Sequence, residues 1–266
     1  MRFMLFFLGY AALMPGLLHA AATEIFVNDV EGRPGTFTRV LVVKPEKPVA
    51  AVILFAGGNG ILNIAPDGSI GSGGNFLVRS RASFARHHLM AAVIDAPSDR
   101  LPSPGLSDFR KSVGHSQDIA AVIAYLRQQA NIPVWLVGTS RGTTSAANGA
   151  VRLQQGGPDG IVLTSSIVKP DDSGTLVTMA LEKITVPALV VHHPGDACST
   201  TLFQDLPPLL AKLKLAPIEV HQLTIKGGKP PEPGADPCGP FHYHGYLGIE
   251  EAVIGRISNW IRTGKP

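Results

Sequence analysis

Apolar runs and polar breaks alternate along this chain in two rhythms. Residues 49–55 (Val-Ala-Ala-Val-Ile-Leu-Phe) contain no polar position, and the run stops abruptly at Ala56-Gly57-Gly58-Asn59-Gly60. A strand without polar alternation is one buried on both faces, as a central parallel strand is. Similar runs recur at 90–94, ending at Asp95, and at 134–137, ending at Gly138. Others lie at 160–166 and at 187–191, the latter ending at His192-His193-Pro194-Gly195-Asp196, and 218–225 reads as the last strand. Between them the spacing turns helical over 76–88, 116–129, 143–153 and 248–261, with Ile119, Val122, Ile123 and Leu126 sharing one face. Upstream, 23–30 and 36–43 read as two strands joined through Gly32-Arg33-Pro34-Gly35. Strands alternating with helices predict an α/β fold: a mostly parallel central sheet with helices on both faces and ligands gathered at the carboxyl ends of its strands. No internal repeat and no second domain boundary is visible, so 23–266 reads as one domain.

Composition changes this picture little. Of 266 residues 45% are hydrophobic and 16% charged, enough apolar material for one large core. The formal charge of +3 is dispersed, with no Lys/Arg run longer than two residues. A nucleic-acid partner, which needs a clustered basic face, is therefore not expected. The first 22 residues change it more. Arg2, an apolar stretch over 3–18 and the small residues Ala20-Ala21-Ala22 form the three parts of a secretory signal, with cleavage after Ala20 or Ala22. An uncleaved anchor is the alternative. Export, to the periplasm or beyond, leaves no membrane attachment after cleavage. It also makes Cys198 and Cys238 a disulfide pair, closing a loop of about 40 residues with a chain-entropy contribution of about 4 kcal/mol.

The chemistry concentrates at Gly138-Thr139-Ser140-Arg141-Gly142. A serine hydroxyl is a poor nucleophile until a base takes its proton and the backbone holds it clear. A Gly-x-Ser-x-Gly turn between a buried strand and a helix supplies that exposure. Here the turn follows such a strand and opens a segment of small residues, Thr143 to Ala147. Together with a later Asp and then a His, this order resembles the α/β-hydrolase family over essentially the whole mature chain. The resemblance implies esterase- or lipase-like acyl transfer on Ser140 through a covalent acyl-enzyme, without cofactor or metal, on a small-molecule ester. No insertion is long enough for a large lid domain.

The family's chain order of Ser, Asp/Glu, His implies Asp196 as the acid, in a Pro-Gly turn directly after a strand, with Asp171 and Asp172 as alternatives. The resemblance puts the base in the loop before the last helix, where His244, followed by Gly-Tyr-Leu-Gly, is preferred to His242. The remaining late histidine, His221, sits mid-strand and reads as half-buried packing. A bridge between Cys198 and Cys238 would tie the acid loop to the base loop. Oxyanion-hole donors implied by the family are the backbone N–H groups of Arg141 and of Gly58, with Asn59 second. Loops 61–75 and 227–240 are expected to frame the pocket, and Arg79 and Arg141 are candidates to meet an anionic group. Three rivals stay open: an amidase or peptidase with the same triad, a zinc site drawn from His192, His193, Asp196, His242 and His244, and a non-catalytic binding protein on the same scaffold.

Overall fold

The apolar runs pair into one eight-stranded sheet. The structure is a computed structural model and describes residues 23–101, 103–170 and 174–265. The signal segment and the alternative acids Asp171 and Asp172 lie outside those residues.

The strands are β1 (Thr23–Glu31), β2 (Phe37–Pro45), β3 (Ala50–Phe55), β4 (Leu89–Ile94), β5 (Val134–Thr139), β6 (Gly160–Thr164), β7 (Ala188–His192) and β8 (Val220–Thr224). Their order across the sheet is β1-β2-β4-β3-β5-β6-β7-β8. Strands β1, β2 and β4 pair antiparallel, and every pairing from β4 onward is parallel. The strands β3, β4, β5, β6 and β7 are buried along their whole length, as runs without alternation require.

Among the described residues six α-helices cover the two faces: α1 (Phe76–Arg79), α2 (Arg81–Arg86), α3 (Val113–Gln129), α4 (Gly142–Arg152), α5 (Pro207–Leu213) and α6 (Glu250–Thr263). One face of the sheet offers Ala51, Ile53, Phe55 and Leu136 to α3, α4 and α5. The other offers Val52, Leu54, Trp135 and Val137 to α1, α2 and α6, where Trp260 meets Trp135 edge-on at 5.0 Å. The alternation of one strand's residues between two apolar layers places β3 and β5 at the centre of the molecule.

Three sequence expectations are corrected. The helix expected over 76–88 is two short ones, broken at Ser80, whose φ of −93° and ψ of 4° leave the helical path. Helix α3 begins at Val113 because the Ser112 hydroxyl caps the backbone N–H of His115 at 3.0 Å. Helix α5 was not foreseen; its seven residues start at Pro207, where a missing N–H costs nothing.

His115 lies wholly inside, its ring against Phe55 and Phe109, and neither ring nitrogen has a hydrogen-bond partner among the described residues. Burial, helped by the charges of Arg110 and Arg33, pushes its pKa from 6.5 down to about 3. Only the unfolded chain then binds a proton between those values, so stability falls as pH falls through that window. The His115→Leu variant should lose about 1.4 kcal/mol per pH unit less than the wild type between pH 6 and pH 4. Urea titrations at several pH values read this directly; parallel slopes for the two proteins would refute a buried neutral imidazole.

Candidate active site

The turn after β5 is held by close approach. A Cβ on Gly142 would stand 2.1 Å from the Phe55 carbonyl oxygen, and one on Gly138 2.4 Å from that of Gly142. No side chain fits at either position, so strand and helix meet closely and Ser140 is forced into a left-handed bend with φ of +53°. Its N–H donates to the Thr164 carbonyl at 3.0 Å, and its carbonyl accepts from the N–H and hydroxyl of Thr143 at 2.9 and 2.6 Å. With the backbone so fixed, Ser140 lines a cavity of about 250 Å³ at the carboxyl ends of the strands. Gly57, Gly58, Asn75, Cys238 and His244 are among the other lining residues. Larger cavities, of about 310 to 790 Å³, are lined by none of Ser140, Asp196, His244, Arg141 and Gly58.

Asp196 follows β7 and is 3% exposed. His244 Nδ1 donates to its two carboxylate oxygens at 3.1 and 3.0 Å. The Cys198 N–H donates to Oδ1 at 3.1 Å and the Thr201 hydroxyl to Oδ2 at 2.9 Å. Burial works to raise the Asp196 pKa, but the hydrogen bond and charge of His244, with the Cys198 and Thr201 donors, outweigh it and hold the carboxyl below its ordinary value. The ring of His244 is thereby oriented with Nδ1 on the acid and Nε2 available, an arrangement suited to a general base.

The base loop, named for the role expected of His244, has its own supports. Ser165, itself left-handed at φ +43°, donates from its hydroxyl to the His244 carbonyl at 2.9 Å. Tyr246, also left-handed at φ +57° and fully buried, donates from its hydroxyl to the Val191 carbonyl at 2.8 Å. Thr201 Oγ1 lies 3.2 Å from His244 Nδ1 as well as bonding Asp196. Of these supports only Tyr246, the aromatic after His244-Gly245, stands out in the sequence.

The other sequence-singled residues separate cleanly. His242 turns its Nε2 to the Asp236 carbonyl at 2.8 Å and its Nδ1 to the His244 N–H, so it shapes the base loop. Cys198 and Cys238 form a disulfide that joins the acid loop to the cavity wall. Gly57 is the loop residue nearest Ser140: a Cβ there would be 3.0 Å from Ser140 Cβ. Gly58 lines the cavity beside it, while Asn59 does not line it and folds its side chain back to the Ile61 N–H. Of loop 61–75 only Asn75 reaches the cavity, and of 227–240 Asp236, Cys238, Gly239 and Pro240 do. Arg79 is not an anion site. It pairs with Glu250 at 3.0 Å and donates to the Gly74 and Gly245 carbonyls, clamping the base loop to α6.

Among the described residues no three His, Cys, Asp or Glu side chains are grouped to hold a metal ion. His192 is fully buried, accepts from the Ser166 N–H and is kept neutral by burial, its pKa lowered to about 3. His193 stacks on Tyr243 and bonds the Gly227 carbonyl at 2.9 Å.

A sheet of this order with a Gly-x-Ser-x-Gly bend after its central strand defines the α/β-hydrolase fold. Solved structures share it at low sequence identity. A lidless α/β serine hydrolase from Xanthomonas campestris has a TM-score of 0.60 at 14% identity, covering 96% of this chain and 99% of that one. The dienelactone hydrolase of Anabaena variabilis has a TM-score of 0.61 at 13% identity, covering 90% and 97%. An esterase from Pyrococcus furiosus has a TM-score of 0.64 at 11% identity, covering 90% and 92%. No protein-family model matches the sequence, and no curated protein does.

Proposed function

We propose that this protein is an exported serine hydrolase that cleaves small carboxylic esters through an acyl-enzyme on Ser140, with His244 as base and Asp196 as the acid that orients it. The observation that carries the reading is the buried His244–Asp196 pair opening onto the same cavity as the left-handed Ser140. His244 Nε2 takes the Ser140 proton as Oγ bonds to the ester carbon. The carbonyl oxygen becomes an oxyanion held by the N–H groups of Arg141 and Gly58. As the carbon–oxygen bond breaks, His244 returns the proton to the departing alcohol. Water, deprotonated by the same imidazole, then releases the acid and restores the serine.

The cavity volume sits below the usual range for drug-sized ligands, which favours short acyl chains. Export is supported by the leader pattern and by the Cys198–Cys238 bond, which persists in oxidising compartments. Among the described residues no helix is long and apolar enough to cross a membrane.

Two measurements test the reading. A fluorophosphonate probe should label Ser140, located by peptide mass. A series of p-nitrophenyl esters should be turned over fastest at acetate to butyrate, with the matching anilides much slower. A metal-dependent rate insensitive to the probe would sink the serine mechanism, and anilides cleaved as fast as esters would favour the amidase alternative.

The disulfide supports the site from outside it. Cys198 donates to Asp196, and Cys238 stands in the cavity wall. Reduction should lower turnover several-fold while near-ultraviolet circular dichroism still reports a packed core, because a catalytic constellation tolerates only about 0.5 Å of displacement. Full activity in the reduced, folded protein would remove this supporting role.

A further inference from the structure

Among the described residues the mechanism above leaves one buried cation, Arg110, without a role. Arg110 lies in the connection between β4 and α3 and is 1% exposed. Its Nη2 donates to the Ala56 carbonyl at 3.0 Å and to the Gly58 carbonyl at 3.2 Å. Its Nη1 donates to the Ser145 hydroxyl on α4 at 2.7 Å. One guanidinium therefore ties the loop after β3 to the helix that begins at the nucleophile turn. The loop wraps closely around it: a Cβ at Gly60 would fall 2.9 Å from Nη2. The preceding residues of the Arg110 segment join in, with the Leu106 N–H donating to the Asn59 carbonyl at 2.8 Å.

A trans peptide points its N–H opposite to its C=O, so fixing a carbonyl fixes where the next N–H points. Arg110 fixes two peptide planes in this way, Ala56–Gly57 and Gly58–Asn59. The plane between them is fixed by the Gly60 N–H donating to the Gly57 carbonyl at 3.3 Å. All three carbonyls of the turn are engaged, and the turn lies against Ser140 through Gly57. Glycines alone would leave such a loop free to rotate its planes, and a donor that must reorganise during reaction stabilises an oxyanion poorly.

We propose that Arg110 is a positioning residue for the oxyanion site: it holds the two peptide planes on either side of the one carrying the Gly58 N–H, and fixes that donor's distance from Ser140 by holding the loop and α4 on one planar fork. This rests on the serine-hydrolase reading. A lysine is a compact point donor and cannot hold two carbonyls and a hydroxyl in the same geometry.

The test uses the whole mature protein with p-nitrophenyl acetate as substrate and an aryl trifluoromethyl ketone, whose serine adduct carries an oxyanion, as probe. Active sites are counted by fluorophosphonate titration, so that rates refer to folded protein. Arg110→Met should lower kcat about 10- to 100-fold, short of the 10²- to 10³-fold loss for deleting an oxyanion donor outright, with KM changed less than about threefold. Affinity for the ketone should fall by the same factor as kcat/KM. Arg110→Lys should lose about tenfold in both quantities. If Arg110→Met does not fold, Arg110→Lys decides. Wild-type kcat and ketone affinity per titrated site, with only the melting temperature lowered, would mean a purely structural arginine and overturn the proposal. Failure of the underlying reading shows separately, as a Ser140→Ala variant that retains the wild-type rate.

Discussion

Replacing Ser140 by alanine should lower kcat on p-nitrophenyl acetate by about 10³- to 10⁶-fold, the range seen when a nucleophile that works as a unit with its base is removed. The melting temperature should move by only a few degrees. The Ser140 side chain faces a cavity and is not part of the packed core, and the turn around it is held by Gly138, Gly142 and backbone hydrogen bonds. Serine and alanine carry the same cost at a φ of +53°, so that part of the fold's energy cancels between the two proteins. A paired measurement of kcat and thermal unfolding separates chemistry from folding. Loss of both together would mean that the hydroxyl is structural.

Asp196→Asn should also be severe, with kcat down about 10⁴-fold, because the imidazole loses the partner that fixes its tautomer. Unlike the serine change, it should cost stability as well. The carboxylate accepts from three donors: His244 Nδ1, the Cys198 N–H and the Thr201 hydroxyl. An amide offers one oxygen and turns an NH₂ toward one of those donors, leaving a buried donor unpaired at about 1–3 kcal/mol. Measured kcat should recover little at high pH, since the defect is one of orientation. Near wild-type turnover in this variant would shift the acid role to Asp171 or Asp172.

How much of this could be read from residues alone depends on the range of the interactions involved. Strands β3 and β5 announce themselves because seven- and four-residue apolar runs opened by proline and closed at a glycine-containing turn have few other uses. The bend at Ser140 is legible because its causes, Gly138 and Gly142, are local. Helix α5 is not: its seven residues give barely two turns of periodicity and begin with two prolines. The break at Ser80 is equally invisible, since serine is an ordinary residue in a helix.

In the site, Asp196 and His244 could be picked out by their places after a strand and before the last helix. Their supports could not. Ser165 and Arg110 reach their partners across long stretches of chain, as Thr201 does in its approach to His244, and a threonine, a serine or an arginine carries no local sign of such a contact. Arg79 shows the reverse error. A basic residue near a predicted loop suggested an anion, whereas α6 supplies the acid that neutralises it through Glu250.

Ser140, Ser165 and Tyr246 share the left-handed backbone conformation; the first is the proposed nucleophile, and the other two are linked to each other and to the loop of His244, the proposed base. Glycine would relieve the torsion at each, but at Tyr246 it would empty a fully buried site and at Ser165 delete a buried hydrogen bond, so only at Ser140 would a search for thermostable variants be rewarded, and there at the expense of turnover. Directed evolution of this scaffold should spare them and look for its gains on the exposed helix faces instead.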